Sequence, residues 1–116
     1  MNLLKTSIWA TLLSLSIYSS TSVAQQIFID GRKLDHWCSP NYDPSSYVCR
    51  GYVMAVVDVM ATNHVNASTS CVPINSITPA QAVGIVSTWL HRHRQILNLA
   101  ADDLTAQALK EAFPCD

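Results

Sequence analysis

Ser45-Ser46-Tyr47-Val48-Cys49-Arg50-Gly51-Tyr52-Val53-Met54-Ala55-Val56-Val57-Asp58-Val59-Met60-Ala61-Thr62-Asn63 is the stretch whose reading decides the fold. Its valines suit a strand. Its length and spacing do not. Cys49, Tyr52, Val53, Val56, Val59 and Met60 recur at i, i+3, i+4 and i+7, and the run is far longer than an ordinary strand. Arg50, Met54 and Asp58 fall on the opposite stripe. The result is a helix apolar around most of its circumference, as in a central helix or one at a subunit interface.

Helical signals continue on both sides. Upstream, Ile27 to Cys38 places Leu34, Trp37 and Cys38 on one face, with Gly31 as a weak point. The loop Ser39-Pro40-Asn41-Tyr42-Asp43-Pro44 follows, in which Asp43 is the expected cap and Pro44 the first helical residue. Downstream, His64 to Ile77 is a polar loop interrupted by Cys71-Val72-Pro73. Its Asn66-Ala67-Ser68 matches a glycosylation triplet, for which chance is the better explanation.

Thr78-Pro79-Ala80-Gln81 is a capping box with proline at the first helical position. It should open a third helix running to about His93 and burying Val83, Val86, Trp89 and Leu90. Arg92 and Arg94 then suit the negative end of the helix dipole. A fourth helix is expected from about Asn98, with Asp102 and Asp103 early, Leu104, Ala108, Leu109 and Phe113 inward, and Pro114 beyond its end. The predicted fold is all-α, a compact four-helix domain.

The first 24 residues read as an export signal. Lys5 supplies the charge, Ser7 to Tyr18 the apolar run, and Ser22 and Ala24 the small-residue cleavage pattern, giving a cut after Ala24. That run is about a dozen residues, whereas a bilayer span needs roughly 20. Residues 25–116 then form one exported domain. Losing the leader's single lysine leaves six basic and eight acidic residues, a net charge near −2. With no basic stripe, nucleic acid is excluded as a partner class. Charged residues are only 13% of the chain, against about 25% in ordinary soluble domains, which favours burial against another protein.

The four cysteines, Cys38, Cys49, Cys71 and Cys115, allow three pairings. Cys38 ends the first helix and Cys49 lies early in the second, so a helical hairpin brings them together. Cys71 precedes the third helix and Cys115 follows the fourth, so an antiparallel pair brings those two together. The expected disulfides are Cys38–Cys49 and Cys71–Cys115, contributing about 3 and about 4 kcal/mol by loop entropy. No C-x-x-C pair supports a metal site.

Catalysis finds little support. His91 and His93 form an H-x-H, but residues two apart on a helix point to different faces. Asp102 and Asp103 diverge in the same way and serve the helix N-terminus better. Asp58 reads better as a solvated stripe residue near Arg50, or as a buried residue with a hydrogen bond, than as a perturbed acid. No serine or cysteine has an evident base beside it. The expectation is no catalytic residue, no metal and no cofactor. The exposed polar turn containing His91, Arg92, Arg94 and Gln95 is the expected partner-binding segment, since arginine is enriched at interface hot spots.

Cys49-Arg50-Gly51-Tyr52-Val53-Met54-Ala55-Val56-Val57-Asp58, Cys71-Val72-Pro73, Gln81-Ala82-Val83, Trp89-Leu90-x-x-His93 and Ala108-Leu109-Lys110-Glu111-Ala112-Phe113-Pro114-Cys115 occur in that order. In these segments the chain resembles the Rap/Tai family of type VI secretion immunity proteins, over essentially all of residues 25–116. The resemblance implies a periplasmic, helical homodimer that protects a bacterium from peptidoglycan-cleaving amidase effectors delivered by its siblings. It implies inhibition by occlusion of the effector's active-site groove. Two positions depart from the family pattern: Ala55, where glycine is common, and Arg94, where proline often follows the histidine. A small periplasmic acid-stress chaperone is the alternative, sharing size and disulfide use. The few acidic groups and two cross-links argue against it.

Overall fold

The computed structural model describes residues 26–40, 45–62 and 71–115. Four α-helices make up this part: α1 (Gly31–Trp37), α2 (Ser45–Ala61), α3 (Pro79–Arg92) and α4 (Ala101–Ala112). A single 3₁₀ turn, Arg94–Ile96, joins α3 to the segment before α4. Among the described residues there is no strand, only an isolated antiparallel bridge between Asp30 and Ala100. The leader, Asp43 and Pro44, and the polar loop at 63–70 lie outside the described residues.

α3 packs most extensively, against α2 on one side and α4 on the other, while α1 touches all three. Leu34, Val53, Val57, Met60, Val86, Leu90, Leu104 and Leu109 are sealed from solvent between them. Each such side chain stabilises the fold by about 1.5–3 kcal/mol through removal of apolar surface from water. Thr105 is buried among them, and its hydroxyl donates to the Ala101 carbonyl at 2.6 Å, so its burial leaves no unmet polar group.

Local chemistry fixes the helix ends. The Thr78 hydroxyl accepts from the Gln81 N–H at 3.2 Å, and the Gln81 side chain accepts from the Thr78 N–H at 2.8 Å. Both halves of the capping box are therefore formed, with Pro79 opening α3.

α1 begins later than its sequence pattern suggests. It starts at Gly31 rather than Ile27, because Asp30 caps it by accepting from the Lys33 N–H at 2.9 Å. The Gly31 and Arg32 amides donate to the Leu99 and Leu97 carbonyls, each at 3.0 Å. Those bonds satisfy two donors that every helix N-terminus leaves orphaned. They also draw the backbone so close that a Cβ on Gly31 would stand 2.5 Å from Leu104 Cδ1 and 2.9 Å from the Leu97 carbonyl oxygen. Gly31 is a close-approach residue, not a weak point.

The same pairing delays α4. Residues 97–100 are held extended or turned against the Asp30 segment, with the Ala101 amide donating to the Ile29 carbonyl at 3.0 Å. The helix starts at Ala101 rather than near Asn98. α3 ends at Arg92, with His93 as its C-cap.

In α2 the apolar phase differs at three positions. Val59 is exposed, Val57 is buried, and Met54 packs against the core from the stripe assigned to solvent. Val83 in α3, and Trp37, Cys38 and Phe113, are half-buried at the core's margin.

Cys38 bonds to Cys49 and Cys71 to Cys115, with Cα–Cα distances of 5.1 and 5.2 Å, the pairing that the helix order predicts. The first pins the end of α1 to the early turns of α2. The second closes a loop of 44 residues that contains α3 and α4.

Candidate functional site

The residues after α3 divide between two partners. His91 points to α1, where its Nδ1 lies 3.1 Å from Asp35 Oδ1, and Arg94 Nη1 lies 3.7 Å from Asp35 Oδ2. Asp35 is largely buried, while His91 and Arg94 remain more than half exposed. Oδ1 is out of solvent and meets no donor with hydrogen-bond geometry. The His91 approach is thus close enough for an ion pair but misdirected for a hydrogen bond. Asp35 fixes the turn to α1 from beneath. Arg92 and Gln95, the other two residues expected to face a partner, are exposed.

His93 turns the other way. Its ring stacks on Trp89 with centroids 3.8 Å apart and planes 15° from parallel. Its Nδ1 lies 2.7 Å from the Trp89 carbonyl. A carbonyl only accepts, so the proton sits on Nδ1 and Nε2 is the acceptor of the neutral ring. His91 and His93 consequently serve different elements.

Arg92, His93 and Trp89 together line a groove of about 830 Å³ bounded by α3, the C-terminal turn of α4 and the segment after Cys71. Pro73, Ile77, Ile85 and Phe113 give it an apolar lining. Its volume lies within the range of roughly 300–1,000 Å³ found for small-molecule pockets. Across it the Trp89 indole N–H donates to Glu111 Oε2 at 2.7 Å, and Gln107 donates to Glu111 Oε1 at 3.3 Å. The groove therefore sets a cation and an anion, Arg92 and Glu111, along an apolar floor. Sequence reasoning missed it and assigned Trp89 to the core alone. One signal was present: Glu111 lies i+7 from Leu104 and i+3 from Ala108, so it flanks the inward stripe where its carboxylate can reach a donor on α3.

A smaller concavity lies beside the N-terminal arm, lined by Phe28, Tyr52, Asp102 and Asp103. Burial pushes the Tyr52 phenol up to about 12, and the Asp102 and Asp103 charges add to the rise. Asp30 is held below the ordinary carboxylate value, first by the Lys33 N–H and then by the Arg32 guanidinium. Asp58 is exposed, as its stripe predicts. All four cysteines are cross-linked, so none is a thiol nucleophile. Among the described residues no three metal-ligating side chains gather. Nor is any helix there long and apolar enough to cross a membrane. Around the groove these side chains set charged, polar and apolar groups side by side.

In a comparison with protein families, the pattern of the Rap1a immunity proteins fits residues 30–115. The chain belongs to the Rap1a immunity protein family. The match runs from the Asp30 cap to Cys115 and so includes both disulfides, all four helices, the polar turn and the groove. No curated protein and no solved structure matches the chain. Membership in the Rap1a immunity family implies a protein partner, the effector against which immunity is directed.

Proposed function

We propose that this Rap1a-family chain is a periplasmic type VI secretion immunity protein. It binds a peptidoglycan amidase effector and occludes the active site, protecting the producer from its siblings. The observation that carries the reading is the family match across residues 30–115. Occlusion requires a surface that keeps its shape when another protein presses on it. Two disulfides cross-link the fold, and Asp35 ties the turn after α3 to α1, which supports such a surface. His91, Arg92, Arg94 and Gln95 contribute to the effector contact, with Arg92 and Gln95 offering the groups not committed to Asp35. The protein performs no chemistry of its own.

The leader directs export and is cleaved after Ala24. The working unit is a homodimer, and α2 is its contact helix. Val48, Ala55 and Val59 follow one another at i, i+7 and i+11 on an exposed stripe, and Tyr47 beside them is 77% exposed.

The purified chain should form a stable complex with the effector encoded beside it and stop that enzyme's hydrolysis of peptidoglycan fragments. If complex formation and hydrolysis are both unaffected, the reading is wrong.

A further inference from the structure

The two disulfides sit in opposite environments. Cys49 is 1% exposed inside α2, and its partner Cys38 is half-buried at the end of α1. Cys71 and Cys115 are both exposed, and neither lies in a helix. Thiol–disulfide exchange needs a thiolate to approach a sulfur along the S–S axis, so access decides which bond reacts. Disulfide reactivity is thereby confined to one end of the molecule.

We propose that Cys71–Cys115 is a site of selective thiol–disulfide exchange with dithiol oxidoreductases, and that it acts as a reversible latch on the groove beside it. One thiolate of the dithiol attacks a sulfur of the Cys71–Cys115 bond, forming a mixed disulfide and releasing the other cysteine as a thiolate. The second thiol of the reductant then attacks the mixed disulfide and releases the remaining cysteine. Two electrons pass to the protein, the dithiol's two protons end on Cys71 and Cys115, and the reductant leaves as a disulfide.

The consequence follows from position. Pro73, two residues after Cys71, and Phe113, two residues before Cys115, both line the groove. Opening the bond uncouples the segment that carries Pro73 and Ile77 from the end of α4. Cys38–Cys49 and the packing of α1, α2 and α3 remain. The groove loses its brace while the core stays folded.

The test is limiting reduction of the oxidised chain by a small dithiol, followed by alkylation and peptide mass spectrometry. Indole N–H signals are recorded in parallel by NMR. Cys71 and Cys115 should become alkylated at least about tenfold faster than Cys38 and Cys49. The Trp89 indole signal should move while that of Trp37 stays. Equal rates, prior reduction of Cys38–Cys49, or release of all four thiols together would overturn the proposal. A Cys71→Ser, Cys115→Ser double variant provides a second check. It should keep the helical circular dichroism and the Cys38–Cys49 bond, with Trp89 shifted as in the reduced protein. Loss of the helical signal, or an unmoved Trp89, would equally overturn it.

Discussion

The Trp89 indole N–H donates to Glu111 Oε2 at 2.7 Å, joining α3 to the last turn of α4 across the groove. This is a charge-assisted bond on a side chain only 7% exposed. Glu111→Ala leaves the indole donor without its acceptor and should lower stability by about 1–2 kcal/mol. Urea unfolding measures the loss, and Trp89 fluorescence should change with it. An unchanged midpoint would show that the bond contributes nothing.

The glycines make a paired prediction. Gly31→Ala drives a methyl into Leu104 Cδ1 and the Leu97 carbonyl, and should cost about 1–3 kcal/mol. Gly51→Ala, within α2, meets nothing within 4 Å and should stabilise by about 0.5–1 kcal/mol through helix propensity. Thermal unfolding of the two variants should move in opposite directions.

Two groups make stability depend on pH at the extremes. Tyr52 ionises near 10 when unfolded but near 12 when folded, so the folded chain binds more protons between those values. Its contribution is complete below pH 10 and is lost as pH rises towards 12, a loss that Tyr52→Phe should remove. Absorbance of tyrosinate should show the late step in the parent and not in the variant. Asp30 is the reverse case, lowered in the fold from 3.8. Its contribution is present above that value and disappears as pH falls through the lower folded one, an acid-side dependence that Asp30→Asn should flatten in unfolding titrations.

Anchor and contact residues in the turn should separate by assay. Asp35→Ala removes the carboxylate beneath His91 and Arg94, whose exposed ion pairs to it should make the loss about 0.5–1 kcal/mol of stability. Arg92→Ala with Gln95→Ala touches two exposed side chains and should leave stability within about 0.5 kcal/mol. Effector affinity of that double variant should nevertheless fall about tenfold or more. Unchanged affinity and inhibition would remove the turn from the interface.

What the chain's local patterns reveal stops where distant segments meet. The capping box at Thr78 and Gln81 is legible because both partners lie within one turn. α2 is legible as a helix because its spacing persists over many residues. Its phase is less so: with apolar residues nearly all round, Val57 and Val59 compete for the inward position, and only the placement of α3 decides. The starts of α1 and α4 are set by the Asp30–Ala100 bridge between segments far apart in sequence. No local pattern near Ile27 or Asn98 reports it. The site divides in the same way. The polar turn shows in its residue types, but its anchorage to Asp35 and the groove under Trp89 require three elements to be assembled first.

The central claim is protection against a periplasmic effector, and survival measures it most directly. Bacteria exporting the neighbouring effector to the periplasm are made to co-express either the full chain or the chain without residues 1–24. Rescue by the exporting form alone is the predicted result. Lysis that the exported, disulfide-bonded chain cannot prevent would contradict the account.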